Sequence, residues 1–207
     1  MAWIGSMARH SRRASFGVVG SIPLLRLGQT MDEMVSVCLR RATAEDIEVI
    51  AALHVESWRQ HYRGAYADEF LDGAAPAERL AVWTERLTAP SSSRFTIVAE
   101  ADGVVVGFAH VILDEDPTLG AVLQNLHVKT DAQRQGVGSG LVAEAARVVH
   151  ACDPGLGLHV WVREENTQAR AFYEARGGVL AGRKLGGPFA DGSEAPVLCL
   201  AWREASG

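Results

Sequence analysis

From residue 44 to 62 the chain places Ile47, Ile50, His54 and Trp58 at three- and four-residue intervals, the period of a helix with one buried stripe. Thr43, with Asp46 three residues later, resembles a capping box at its start. Pro76 opens a second helical pattern carrying Leu80, Trp83 and Leu87, which ends before Pro90. Two β-branched runs, 95–100 and 104–113, flank Ala101-Asp102-Gly103, a hairpin signal. A strand over 121–129 then precedes a polar segment and a helix over 139–150. A strand at 156–163, a helix at 168–176 and strands at 179–185 and 197–202 follow, and a short strand at 35–39 precedes them all.

With 207 residues, 48% of them hydrophobic, the chain can bury one well-formed core and is short for two domains. We therefore read one domain over 35–207 and a basic extension over 1–34 that is disordered or reflects a mis-assigned start. Residues 1–30 hold Arg9, Arg12, Arg13 and Arg26 and no acid, which leaves 16 basic against 25 acidic side chains for the remainder. A nucleic-acid-binding domain of that sign is not expected. Cys38, Cys152 and Cys199 form no C-x-x-C pair, so neither a disulfide framework nor a zinc ribbon is indicated, and a cytoplasmic location is expected. The apolar run 16–25 contains Pro23 and is too short to span a membrane; it also lacks a convincing cleavage site for a secretory signal.

Between the strand at 121–129 and the following helix lies Gln133-Arg134-Gln135-Gly136-Val137-Gly138-Ser139-Gly140. Consecutive backbone N–H groups at a helix start, with the helix dipole behind them, form a diphosphate site. Glycine at 136 and 138 would permit unusual dihedrals and close approach to phosphate oxygens. The dinucleotide fingerprint fails on register, because it would need glycine where Leu141 stands, and no lysine follows a glycine as a Walker loop requires.

Leu126-His127-Val128, then Gln133-x-x-Gly136-x-Gly138, then Asn166, Ala169, Phe172 and Tyr173 together resemble the cofactor motifs of the GNAT superfamily of N-acetyltransferases, over most of residues 36–203. The resemblance implies an α/β fold with a mixed, mainly antiparallel sheet of six to seven strands and helices on both faces. The sheet would be splayed between the strands at 121–129 and 156–163. It further implies acetyl-CoA as the donor and a small-molecule or peptide amine as the acceptor; separately, no metal is expected. The amides of Gln135, Gly136, Val137, Gly138, Ser139 and the neighbouring Gly140 would cradle the pyrophosphate, with Gln133 and Arg134 beside them. Leu126 and Val128 would offer backbone groups to the pantetheine arm, while alternation turns the His127 side chain to the opposite face. Tyr173 would be the general acid that protonates the departing thiolate.

The same resemblance expects a base on the splayed strand, where Val122, Leu123, Gln124 and Asn125 stand and no strong base is present. Gln124 would then orient the amine, leaving deprotonation to water or to His110, Glu56 or Glu115. Trp58, Tyr62 and Tyr66 would line the acceptor side, and Asp68, Glu69 and Asp72 would favour a cationic amine or stand as a solvated surface. His54 and His61, seven apart, lack the i, i+4 spacing of a helical metal site. Neither nucleic acid nor membrane is expected as a partner, and a homodimer is left open. The competing reading is a non-catalytic acyl-CoA-binding or regulatory module, against which Tyr173 argues.

Overall fold

The hairpin signalled by Asp102-Gly103 forms the centre of the sheet, with both turn residues at positive φ (50° and 76°). It joins β3 (Arg94–Ala101) to β4 (Val104–Asp116). The computed structural model describes residues 20–24, 35–61, 63, 66–89, 91–187 and 194–202. β1 (Gly20–Leu24) and β2 (Val35–Arg41) precede α1 (Ile47–His61) and α2 (Ala75–Thr88). After the hairpin come β5 (Gly120–Val128), α3 (Val137–Cys152), β6 (Leu158–Arg163), α4 (Thr167–Glu174), β7 (Val179–Gly186) and β8 (Ala195–Trp202).

The strands form one sheet in the order β1-β2-β3-β4-β5-β6-β8-β7. β5 and β6 run parallel, and every other neighbouring pair is antiparallel. The mixed, mainly antiparallel sheet is thus as expected, with one strand more than the six to seven. That strand, β1, lies inside the segment read as an extension and pairs with β2 from Gly20 opposite Leu39 to Leu24 opposite Val35. Pro23 is compatible with this strand, because at a sheet edge a residue that cannot donate is tolerated.

One face of the sheet is covered by α3 and α4, whose Leu141, Ala145, Val148 and Tyr173 bury against Ile97, Ala109, Val111 and Leu200. The opposite face is covered by α1 and α2, where Ile50, Leu53 and Trp83 pack on Val98, Val105 and Phe108. Helices therefore lie on both faces, with the seam between β5 and β6 open between them. A segment of π-helix, Phe70–Ala74, leads into α2 and was not anticipated. Among the described residues no helix is long and apolar enough to cross a membrane.

Candidate active site

The site begins with a failure of strand pairing. β5 and β6 share two rungs, Ala121 with Leu158 and Val122 with His159, and then part. Just past the last rung β5 bulges: His110 of β4 faces Asn125, and the next residue, Val111, faces Leu123, so Gln124 is the additional residue. The bulge puts Gln124 and Asn125 on one side, where both meet Arg86 of α2. Alternation then resumes, with Leu126 and Val128 packed toward α3 and His127 turned toward α1. The splay opens a cleft of about 870 Å³ walled by β5, β6, α1, α4 and the start of α3.

At the α3 end, Gly136 has φ 89°, a left-handed conformation that strains any residue with a Cβ. The first intrahelical bond runs from Gly140 N–H to the Gly136 carbonyl, so the amides of Val137, Gly138 and Ser139 precede the ladder and lie at the positive end of the helix. Gly140 is therefore not a free donor, and it is buried. Gly138 is helical rather than unusual in its dihedrals. Its role is proximity: a Cβ there would lie 3.2 Å from the Phe172 ring. The uncommon φ falls instead on Arg134, at 60°.

Other loop side chains hold the loop itself. Gln133 donates from Nε2 to the Val128 carbonyl at 3.1 Å, tying the loop to the end of β5. Gln135 donates to the Asp131 carbonyl and does not line the cleft, and the Val137 side chain is in the core. Arg176 is an unforeseen member. Its guanidinium stacks 3.6 Å above the Phe172 ring and donates to Ser139 Oγ and the Phe172 carbonyl. Asn166 caps α4, accepting from Ala169 N–H at 3.0 Å, and both line the cleft with Phe172 and Tyr173. Tyr173 is 7% exposed, with edge-on ring contacts to Phe172 and Trp202.

On the acceptor side Trp58 lines the cleft, under the Arg79 guanidinium at 4.5 Å. Tyr66 does not reach it. It is buried, packed edge-on against Trp58 at 5.4 Å and Phe70 at 6.3 Å between ring centres, so it serves as packing. Tyr62 lies outside the described residues. Asp68 and Asp72 are paired with Arg63, and Asp72 also with Arg59, on an exposed surface, so their charge is compensated away from the cleft.

Of the residues considered as bases, Glu56 lines the cleft, whereas His110 is sealed in the core beside Thr96 at 2.8 Å, its pKa pushed down to about 3 by burial and by Arg86 and Arg94. Glu115 is exposed and outside the cleft. Gln124 lines the cleft, but its carbonyl oxygen, the group that would accept from an amine, takes a hydrogen bond from Arg86. His127 meets Ser57 Oγ at 2.8 Å and stacks near His54, whose pKa burial lowers to about 2.

Lys129, Arg134, Arg163, Arg176 and Lys184 line the cleft against one carboxylate, Glu56, although the protein as a whole carries −5. Such a surface concentrates an anionic ligand. Three features fit acetyl-CoA: the helix start opened by Gly136, the diverging edge of β5, and this cationic lining.

The model of the acetyltransferase (GNAT) family matches residues 47–178. The uncharacterized N-acetyltransferase YuaI of Bacillus subtilis is 31% identical over 143 residues, spanning 67% of this chain and 78% of that protein. A spermidine N(1)-acetyltransferase of Thermoplasma acidophilum is 23% identical over 145 residues, 69% of this chain and 88% of its own. Among solved structures, the PaiA N-acetyltransferase of Thermoplasma acidophilum in complex with coenzyme A shares the fold with a TM-score of 0.62. At 19% identity it covers 81% of this chain and 98% of its own. Fold and family together define an acetyl-CoA-dependent acyltransferase. The chain belongs to the acetyltransferase (GNAT) family.

Proposed function

We propose that the protein transfers acetyl directly from acetyl-CoA to a primary amine held in the cleft between β5 and β6, with Tyr173 as general acid. The observation that carries this reading is the position of Tyr173 on the cleft wall, one helical turn after Ala169 and within the same opening as the start of α3. Acetyl-CoA supplies the activated acyl group; the rest is work for this chain's own residues. The amides of Val137, Gly138 and Ser139 hold the diphosphate, and Arg134 and Arg176 add charge beside it. Glu56 accepts the amine's proton through water, since it is the carboxylate that lines the cleft. As the amine nitrogen bonds to the carbonyl carbon and the carbon–sulfur bond breaks, the Tyr173 phenol gives its proton to sulfur.

None of Cys38, Cys152 and Cys199 lines the cleft, and burial raises the thiol pKa of Cys152 and Cys199, so a covalent acetyl-cysteine step has no support. Tyr173→Phe keeps the ring packing and removes the proton. With an accepted amine, kcat is expected to fall about 100-fold to 10,000-fold while the Kd for acetyl-CoA stays unchanged. A Phe variant with near wild-type kcat and no change in the solvent isotope effect would remove Tyr173 from this role.

A further inference from the structure

The β5 bulge is held from behind by a cation. Arg86 of α2 donates from Nη2 to Gln124 Oε1 at 2.7 Å and from Nη1 to Asn125 Oδ1 at 3.1 Å, with its guanidinium 4.9 Å over the Trp83 ring. Among the described residues Arg86 forms no ion pair within 4 Å, and the neighbouring carboxylate Glu85 is paired with Arg94. Burial and the neighbouring Arg79 and Arg94 lower its pKa to about 10. A guanidinium has donors and no acceptor, so both carboxamides must turn oxygen toward Arg86 and direct their NH2 groups away from it. Gln124 and Asn125 both line the cleft. Where a base would deprotonate the amine, this strand therefore presents donors backed by a positive charge.

We propose that the acceptor is an amine that also bears a carboxylate, as a free amino acid does, with the carboxylate received by the NH2 groups of Gln124 and Asn125. Arg86 acts through them as a positioning residue and supplies the charge that favours an anion. Glu56, the carboxylate lining the same cleft, is left for the ammonium end of such a zwitterion. A polyamine satisfies Glu56 and finds only donors and a cation at the bulge. The inference rests on the reading of this cleft as the acetylation site.

The test measures CoA release from acetyl-CoA with the standard L-amino acids, each paired with the amine that lacks its carboxylate, and with spermidine as the cationic contrast. The best amino acid is expected to exceed its decarboxylated partner by about 10-fold or more in kcat/KM, mostly through acceptor KM. Arg86→Met should collapse that ratio without changing the Kd for acetyl-CoA. Gln124→Glu keeps Arg86 in place as an ion-pair partner and puts a carboxylate at the bulge, so it should shift preference toward the decarboxylated amine. A wild-type preference for spermidine or for the decarboxylated amines would overturn this inference and leave acetyl transfer standing, as would a ratio unchanged in both variants. Failure of every amine in the panel would overturn both.

Discussion

Among the described residues, His54 and His110 make stability sensitive to mild acid. Both are buried; His54 Nδ1 accepts from Trp83 Nε1–H at 3.1 Å, and His110 meets Thr96. Their folded pKa values, about 2 and about 3, lie below the ordinary 6.5 because burial disfavours the imidazolium. Between those values and 6.5 the unfolded chain binds protons that the folded protein does not. Their contribution is therefore fully present above pH 6.5 and is lost as pH falls. Near pH 5 the two together give a slope of about 2.7 kcal/mol per pH unit, with His159, also lowered by burial, adding in the same direction. Urea unfolding at pH 7, 6 and 5 should show this loss; a flat profile would mean that these rings are hydrated in the folded state. The helical stripe of Ile47, Ile50, His54 and Trp58 already placed His54 on the buried face, whereas His110, named in the sequence as a candidate base, proved to be sealed in the core.

Elements were read more securely than their edges. The hairpin at 101–103 and the start of α3 followed from local chemistry, glycine and a short polar turn, which a sequence displays directly. The acceptor wall did not. Tyr66 was expected in the cleft because aromatics cluster after α1, and composition carries no information on which of them is packed behind another. The orientation of Gln124 depends on Arg86, 38 residues away on a different element, so no local pattern could reveal it. β1 was missed because residues 1–34 show no repeating apolar pattern and were read as an extension; Pro23 is no bar to an edge strand. Deleting residues 1–30 removes this edge strand and exposes β2, which remains paired with β3. Stability should fall by about 1–2 kcal/mol, a few degrees in Tm, while the Kd for acetyl-CoA and kcat stay within about twofold. A truncated chain that fails to fold would make β1 part of the domain's core requirement.

At the scale of the whole molecule, an acidic protein holds a cationic cleft at the seam where its two helical layers and its splayed strands meet. None of the three cysteines lines that cleft and Tyr173 stands on its wall, the arrangement that the proposed direct passage of the acetyl group requires. The most direct measurement follows the label in acetyl-CoA carrying radioactive acetyl, mixed with the protein first alone and then with an accepted amine. Direct transfer predicts no label on the protein and no CoA release without the amine, then CoA and acetylated amine appearing one for one. Initial-rate lines should intersect, as for a ternary complex. Stoichiometric release of CoA in the absence of amine, with the acetyl group left on a side chain, would contradict the account.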